Sequence, residues 1–233
     1  WHRSLLIDWV KINLPGDGVG WDPYPTSLRI VNWIKWKCNG SNLPDSCLDS
    51  LSTQTRWLVK RIEWHILGNH LFSNAKALVF AGLFFEGKEA DSWLSKGLKI
   101  ISDEIDEQIL DDGGNFELSP MYHSIFLEDL LDLINIANAF PKSSISKKQI
   151  ADWHEASIRM LCWLDIMTHP DGEISFFNDS AMNIALNPLE LKKYAERLGI
   201  FYENPNTNIR LNHLIESGYL RISHDDSIAL IDA

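Results

Sequence analysis

Residues 69–85 read Asn-His-Leu-Phe-Ser-Asn-Ala-Lys-Ala-Leu-Val-Phe-Ala-Gly-Leu-Phe-Phe, a mostly apolar stretch that stops before Gly87. Its apolar residues fit the period of a helix. A helix that is apolar on all sides is buried in the core of a protein. This stretch therefore predicts a buried helix that begins at Asn69 and ends near Phe85.

The same helical period continues on both sides of this stretch. It predicts further helices after an amphipathic N-terminal segment, over residues 27–38, 47–65, 88–110, 120–140, 145–168 and 188–199. Helices of this length with short breaks indicate stacked α-hairpins, in either a solenoid or an α/α toroid. Because no fixed repeat is legible, we favour the toroid, and the predicted fold class is all-α.

The end of the chain has a different pattern. Residues 219–222 and 227–231 alternate in polarity, and the polar residues 223–226 separate them. This pattern predicts a β-hairpin, which is marginal unless it belongs to a larger sheet. We therefore expect a helical domain over 1–217 and the first strands of a truncated second domain over 218–233. On this interpretation the chain is a piece of a longer protein.

The composition limits the classes of partner. The 233 residues include 21 Lys and Arg against 32 Asp and Glu, which gives a formal net charge of −11. An acidic chain without a basic run is a poor binder of nucleic acid or of anionic membranes. No stretch approaches the roughly 18 apolar residues of a transmembrane helix. The three cysteines form no Cys-x-x-Cys pair, so we favour buried free thiols over a bridge between Cys38 and Cys47.

A first candidate site lies at the start of the apolar helix, at Gly68-Asn69-His70. Asn is a good N-cap residue, so Asn69 has a structural explanation. His70 is a titratable group at the start of an otherwise apolar helix. A hydrogen-bonded core histidine is the more frequent alternative to a functional one.

The segment before this helix adds a second reason to consider a site. Trp57, Arg61 and Trp64 have i, i+4 and i+7 spacing on the predicted helix 47–65. Aromatic rings with a cation beside a helix N-terminus suit an anionic sugar, because the helix end and the guanidinium both favour a carboxylate. Two core tryptophans passed by the Arg61 side chain explain the pattern equally well.

A second candidate site is the stretch 112–123, Asp-Gly-Gly-Asn-Phe-Glu-Leu-Ser-Pro-Met-Tyr-His. Ser119 before a proline is a typical N-cap and first helical residue. A helix does not require Tyr122 and His123 to be adjacent, so these rings need another explanation. Together with Glu117 they are candidate functional residues.

A third cluster, His169-Pro-Asp-Gly-Glu173 followed by Asn178-Asp179, is interpreted as a network of turn residues. The histidines lack the spacings typical of metal ligands, and there are no paired cysteines. We therefore expect no metal and no other cofactor.

Several motifs occur together in the order found in one family, namely Gly68-Asn69-His70-Leu71, Asp112-Gly113-Gly114, Glu117-Leu118-Ser119-Pro120-Met121-Tyr122-His123 and Pro170-Asp171-Gly172 with Asn178-Asp179. From about Trp21 onward the chain resembles the helical domain of the heparinase II/III family of polysaccharide lyases, which is related to oligoalginate lyases. The Glu-x-Ser-Pro-x-Tyr-His stretch is the specific part. The resemblance implies an incomplete α/α toroid followed by a β-sandwich. It places the active site in the cleft between these domains, with a histidine, and in some members a tyrosine, from the sandwich.

The resemblance also implies a chemistry, the cleavage of a uronic-acid polysaccharide by β-elimination without a cofactor. Asn69 would neutralise the substrate carboxylate with His70 beside it, and Tyr122 would be the base. The residues expected to bind or orient the substrate are Arg61, Trp64, Glu117 and His123. The partner would be an acidic polysaccharide or oligosaccharide, and members of the family are expected to be periplasmic or secreted.

Two alternatives come from other classes of protein. An inverting glycoside hydrolase on an α/α toroid needs two carboxylates about 6.5–9.5 Å apart, for which Asp112, Glu117 and Asp179 are available. A non-catalytic carbohydrate-binding or polysaccharide-biosynthesis accessory protein needs neither an acid nor a base. The identity of the uronate polysaccharide, and endo or exo action, do not follow from the sequence.

Overall fold

The computed structural model describes residues 1–141, 144–203, 210–224 and 227–233. Most of these residues are helical, and a small three-stranded sheet lies at the C-terminal end. The predicted all-α class with a C-terminal β segment is therefore confirmed. The chain divides into two compact units, Trp1–Asp103 and Glu104–Ala233, which are described in turn.

The first unit contains five helices. Their bounds are α1 His2–Ile12, α2 Pro23–Cys38, α3 Asp45–Leu58, α4 Gly68–Phe84 and α5 Lys88–Gln108, the last of which continues into the second unit. The predicted buried helix is confirmed as α4, in which every residue from Leu71 to Leu83 is buried. The helix packs mainly on α2 and also contacts α3, so it forms the centre of this unit.

Close helix packing in the first unit depends on two glycines. A Cβ on Gly82 would lie 2.6 Å from the backbone nitrogen of Leu94, and a Cβ on Gly97 would lie 2.8 Å from the carbonyl oxygen of Ala75. Both positions are in helix interiors, where glycine is otherwise unfavourable. Here glycine allows α4 and α5 to approach more closely than a methyl group would permit.

The predicted helix over 47–65 is wrong at its C-terminal end, because α3 stops at Leu58. The chain then turns, and Ile62 and Glu63 are buried. The backbone N–H of Glu63 donates to the Asn74 side chain of α4 at 2.9 Å. This tertiary hydrogen bond replaces the helical one that a continued α3 would have made.

Four of the ten tryptophans of the chain form one packed cluster in the first unit. Trp9, Trp21, Trp33 and Trp57 are linked by ring contacts with centroids 5.7–6.0 Å apart, most of them edge-to-face. Trp21 and Trp33 are buried, and the Arg29 guanidinium lies 3.8 Å from the centre of the Trp9 ring. Aromatic pairs of this geometry contribute about 0.5–1.5 kcal/mol each beyond the area they bury. The cluster joins α1 and the loop after it to α2 and α3.

The described part of the second unit contains three further helices, α6 Pro120–Ala139, α7 Lys147–Ile166 and α8 Pro188–Arg197. They confirm the predicted helices over 120–140, 145–168 and 188–199. Each begins with a side-chain cap, in which the oxygen of Ser119, Ser146 or Asn187 accepts a backbone N–H from three residues on. These local signals are why the helix starts could be predicted from sequence.

The strands are β1 Leu211–Leu214, β2 Tyr219–His224 and β3 Ser227–Asp232, and they form an antiparallel sheet in the order β1-β2-β3. The predicted hairpin is confirmed as β2 and β3, with Tyr219 opposite Asp232 and His224 opposite Ser227. Asp225 and Asp226 of its predicted turn lie outside the described residues. β1 was not predicted and precedes the expected boundary at 217/218, while the division into domains stays a prediction.

The sheet packs on the end of α7. Leu214 and Tyr219 share a buried cluster with Trp163, Ile166 and Met167. The strands therefore belong to the core of the second unit.

The cysteines are all free thiols, as expected, but only Cys47 is buried, whereas Cys38 is exposed and Cys162 is half-buried. Across the described ranges, none of the helices is both long enough and apolar enough to span a bilayer.

We expect Gly97→Ala to destabilise the protein although alanine is the better helix former. The new methyl group would lie 2.8 Å from the Ala75 carbonyl oxygen and 2.9 Å from Val79 Cγ2. Overpacking of this kind costs about 1–3 kcal/mol, which urea unfolding would measure. Gly20→Ala is the matched control, because its Cβ would have only ordinary contacts at 3.6 Å. Equal stability of the two variants would contradict the packing argument.

Candidate functional site

Asn69 is not the N-cap of α4, as the sequence had predicted, but the second residue of the helix. The N-cap is Leu67, which has a φ of 62° and provides no side-chain cap. The Asn69 side chain is half-buried, and no hydrogen bond involves it anywhere in the described ranges. Its amide is therefore available to a ligand at the positive end of a helix.

His70 follows directly and has one ring nitrogen occupied. Its Nδ1 lies 3.1 Å from the Glu63 carboxylate, and its ring stacks on Tyr24 with centroids 4.4 Å apart. About a third of the side chain is exposed, 32%. Its Nε2 has no hydrogen-bond partner within the part of the chain that the structure describes. The ring is thus oriented from one side and available on the other.

Glu63 was missed by the sequence reasoning and has a central position here. The residue is only 6% exposed, and its second carboxylate oxygen accepts from Asn74 Nδ2 at 3.0 Å. Asn74 is fully buried and also donates to Ser27 Oγ at 3.1 Å. The available signal was Asn74 itself, a polar residue in the middle of an apolar helix, which has to find a partner.

Arg61 and Trp64 do not share a helix face with Trp57, because α3 has ended before them. The guanidinium of Arg61 lies 3.3 Å from the centre of the Trp57 ring, which covers one face of that ring. Trp64 is 54% exposed and belongs to a short exposed apolar segment with Ile66 and Leu67. Trp64, rather than Trp57, is therefore the aromatic ring that is open to a ligand just before α4.

In the second unit, the Asp112-Gly113-Gly114 motif forms a tight loop against α7. Gly113 has a φ of 91°, and a Cβ there would lie 2.3 Å from the Arg159 carbonyl oxygen. Asp112 Oδ1 accepts from the backbone N–H of Gly114, and Oδ2 accepts from both the N–H and the hydroxyl of Ser217. The Ser217 hydroxyl in turn accepts from Trp163 Nε1 at 2.9 Å. Asp112 thus ties this loop to the sheet and to α7.

The residues just before α6 are held by a second set of hydrogen bonds. Leu118 has a φ of 56°, and its carbonyl accepts from the Tyr219 hydroxyl at 2.7 Å and from Asn178 Nδ2 at 2.8 Å. Burial raises the pKa of Tyr219 to about 12, with a further contribution from the charge of Asp232. The Tyr219 hydroxyl therefore stays protonated and donating.

Tyr122 lies in the first turn of α6, next to these contacts. Its backbone N–H donates to Ser119 Oγ at 3.4 Å, and the Ser119 hydroxyl is itself paired with Ser180 at 3.0 Å. The phenol ring is half-buried. Its hydroxyl makes no hydrogen bond to any residue that the structure describes. A fixed backbone thus presents a phenol hydroxyl that is free to bind.

His123, the next residue, has the opposite environment. It is fully buried, with Nε2 donating to the Met160 carbonyl at 3.0 Å and Nδ1 accepting from the Asn115 N–H at 3.3 Å. The ring also stacks on Trp163 with centroids 4.3 Å apart. Burial lowers the pKa of His123 to about 3, so the ring is neutral at physiological pH. It has no exposed atom with which to contact a substrate directly.

Two further predicted features have simpler outcomes. Glu117 is half-buried, and its backbone N–H donates to Asn115 Oδ1 at 3.0 Å. The turn network over 169–173 is confirmed, with His169 N bonded to the Glu173 carbonyl and Glu173 N bonded to Asp171 Oδ1. No group of three or more potential metal ligands occurs among the described residues.

The structure thus places the predicted site residues at the starts of two helices. Asn69 and His70 open α4 in the first unit, with Arg61 and Trp64 in the segment before it, while Glu117, Tyr122 and His123 surround the start of α6 in the second unit. These features define a mostly helical protein that presents an amide, an imidazole and a phenol in helical first turns. The chain belongs to the family described as heparinase II/III N-terminus, which matches residues 42–208.

Relatives and solved structures agree with this assignment. A heparin-sulfate lyase of Bacteroides stercoris is 32% identical over 139 residues, which are 59% of this chain and 20% of that protein. One from Pedobacter heparinus is 30% identical over 120 residues, 48% of this chain and 17% of that protein. The chain therefore spans about a fifth of the length of these relatives.

Solved structures show the same fold over nearly the whole chain. A crystal structure of heparinase III superposes with a TM-score of 0.77 at 22% identity, over 99% of this chain and 40% of that one. A heparan sulfate lyase from Pedobacter heparinus superposes with a TM-score of 0.62 at 21% identity, over 98% of this chain and 40% of that one. In both cases the matched region is 40% of the solved chain, so those chains continue well beyond it.

We expect the buried neutral His123 to make the stability of the protein depend on pH. Its pKa is about 3 in the folded protein and about 6.5 in an unfolded chain. Between these values the unfolded state binds more protons, so stability falls as the pH is lowered, by up to about 1.4 kcal/mol per pH unit from this group. Urea unfolding from pH 7 to 4 should show a shallower dependence for His123→Gln than for the wild type. Equal slopes would contradict this assignment.

Proposed function

We propose that the protein acts as a uronic-acid polysaccharide lyase, which cleaves glycosidic bonds by β-elimination. The support is membership of the heparinase II/III N-terminus family and the relatives that are named heparin-sulfate lyases. The chain covers only part of those relatives, so the proposal concerns the whole protein to which these residues belong.

The observation that carries the proposal is a contrast in hydrogen bonding. Buried polar groups in proteins are nearly always paired, and the fully buried Asn74 and His123 follow this rule. The Asn69 amide, His70 Nε2 and the Tyr122 hydroxyl are part-exposed and have no partner among the described residues. These three groups are therefore available for binding and proton transfer.

The reaction that we propose removes the proton α to the uronate carboxylate. The electron pair of that C–H bond forms a C4–C5 double bond, the bond from C4 to the glycosidic oxygen breaks, and this oxygen takes up a proton. The acidity of the C–H bond depends on neutralising the carboxylate, since charge builds up there in the transition state. Asn69 can donate from its amide to the carboxylate at the N-terminus of α4, where the helix dipole also favours negative charge.

Tyr122 is our proposed base, and it can return a proton to the leaving oxygen. Its backbone is held by Ser119 and Ser180, which restricts the positions that the phenol can take. Restriction of this kind lowers the entropy cost of reaching the reactive geometry. His123 bonds to the Met160 carbonyl of α7 and to the backbone N–H of Asn115, in the loop before α6. We therefore assign His123 a positioning role.

The remaining candidates have supporting roles in this proposal. The Arg61 guanidinium lies over the Trp57 ring, and its positive charge suits an anionic group of the polysaccharide. The exposed ring of Trp64 suits stacking on a sugar. Glu117 orients the start of α6.

The glycoside hydrolase alternative has less support. It would use Asp112 as one of its carboxylates, but both oxygens of Asp112 already accept hydrogen bonds from Gly114 and Ser217. A single assay separates the three classes. After incubation of the full-length protein with uronate polysaccharides, a lyase creates a double bond conjugated to the carboxylate, which absorbs ultraviolet light. A hydrolase creates only new reducing ends, and a binding protein creates neither.

In the active full-length protein, Tyr122→Phe should lower kcat by at least about 100-fold, because general acid–base catalysis typically contributes 10²–10⁴-fold. Asn69→Ala should cause a comparable loss. Tyr194→Phe is the matched control, since Tyr194 lies on α8 and donates to Asp132 away from the candidate residues. Full lyase activity in Tyr122→Phe would show that another group is the base.

Residues 1–233 alone are expected to show no turnover in the same ultraviolet assay. The family resemblance assigns further catalytic groups to a β-sandwich, and the chain covers only 40% of the matched heparinase III chain. Measurable turnover by this piece would overturn the expectation that a second domain completes the site.

A further inference from the structure

The hydrogen bonds of the Asn74 side chain have only one consistent set of donors and acceptors. The Ser27 hydroxyl donates to the Pro23 carbonyl at 2.8 Å, so its oxygen accepts from Asn74 Nδ2. The backbone N–H of Glu63 can only donate, so the atom of Asn74 that it meets is the carbonyl oxygen Oδ1. The amide group of Asn74 is therefore fixed with its NH₂ directed at Glu63 Oε2 and Ser27 Oγ.

The same logic extends to His70. The Glu63 carboxyl group is buried, and in its ionised form it can only accept hydrogen bonds. One of its oxygens accepts from Asn74, and the other meets His70 Nδ1 at 3.1 Å. The proton of a neutral His70 ring is then on Nδ1, which leaves Nε2 with a lone pair.

A comparison with His123 shows that this arrangement is more than core packing. His123 is fully buried and uses both ring nitrogens within the protein. His70 is held at Nδ1 by Glu63 and on its ring face by Tyr24, yet it is partly exposed and uses only one nitrogen within the described residues. Its environment fixes the ring but leaves one nitrogen for an external group.

We propose that Glu63 is a positioning residue, which holds His70 in the Nδ1-protonated form and thereby makes Nε2 an acceptor for a hydrogen bond from a hydroxyl group of the substrate. The catalytic part of this inference rests on the proposed lyase function. In this proposal the two neighbouring residues of α4 have different roles. The Asn69 amide donates a hydrogen bond to the substrate carboxylate, whereas Nε2 of the neutral His70 ring accepts one. The placement of the His70 proton is a property of the 233-residue chain itself and can be measured without activity.

The direct test is the tautomer of His70, read from long-range ¹H–¹⁵N correlation spectra at a pH where the ring is neutral. The His70 signals are assigned by their loss in His70→Gln. We expect Nδ1–H in the wild-type chain. A wild-type ring protonated on Nε2 would overturn the proposal, and this result needs no Glu63 variant.

Glu63→Gln should invert this tautomer. The Asn74 NH₂ group still requires an acceptor, so the new amide turns its oxygen to Asn74 and its own NH₂ to His70 Nδ1. That nitrogen must then accept, and the proton moves to Nε2. Glu89→Gln is the matched control, because Glu89 pairs with exposed Arg56, and it should leave the His70 signals unchanged. An unchanged tautomer in folded Glu63→Gln would overturn the proposal.

The catalytic consequence is tested by a double-mutant cycle in the active full-length protein. Glu63→Gln should lower kcat/KM by about 10-fold, the size expected for the loss of one hydrogen bond to the substrate, and should add no further loss in a His70→Gln background. Equal losses in both backgrounds would show that Glu63 does not act through His70. Absence of lyase activity in the wild type on every uronate polysaccharide would defeat the proposed function, while the spectra would still decide the placement of the proton.

Discussion

The structure depends on the requirement that a polar group removed from water has a hydrogen-bond partner. Asn74 lies in the middle of the most buried helix and meets this requirement by bonding to Glu63 and Ser27. Leaving such a group unpaired costs about 1–3 kcal/mol, a large fraction of the stability of a typical protein. The hydrogen bond from the Glu63 backbone to the Asn74 side chain fixes the position of the segment that connects α3 to α4. Asp112 has the same role in the second unit, where it binds Ser217.

This requirement separates residues of the same type into different roles. His70 and His123 each lie in the first turn of a helix and each follow a polar or aromatic candidate, so the sequence offers no basis for distinguishing them. The structure distinguishes them by burial and by pairing, since His123 uses both ring nitrogens internally and has its pKa lowered to about 3. His70 has one ring nitrogen without a partner among the described residues. The proposed function uses this difference and not the mere presence of histidine.

Sequence reasoning predicted the elements whose causes are local. Each of these signals lies within a few residues: the apolar pattern of α4, the N-caps Ser119 and Asn187, and the alternating polarity of the C-terminal hairpin. It failed where distant contacts decide the outcome, as at the end of α3, whose continuation is replaced by the bond from Glu63 to Asn74. β1 and Glu63 were missed for the same reason. The candidate residues were identified from residue type and spacing, and the family motifs supplied their expected roles, whereas the network that orients them required coordinates.

Backbone strain gives an independent reason to associate these two helix starts with function. Among the described residues, the non-glycine positions with positive φ are Leu67, Leu118, Asn178 and Asn183. A leucine held at positive φ costs on the order of 1–3 kcal/mol, and such strain concentrates where a site requires a particular geometry. Leu67 precedes Asn69 and Leu118 precedes Tyr122, while Asn178 donates to the Leu118 carbonyl. At Leu67 the strained turn takes the N-cap position, so the Asn69 amide is not consumed by capping and stays available to a carboxylate.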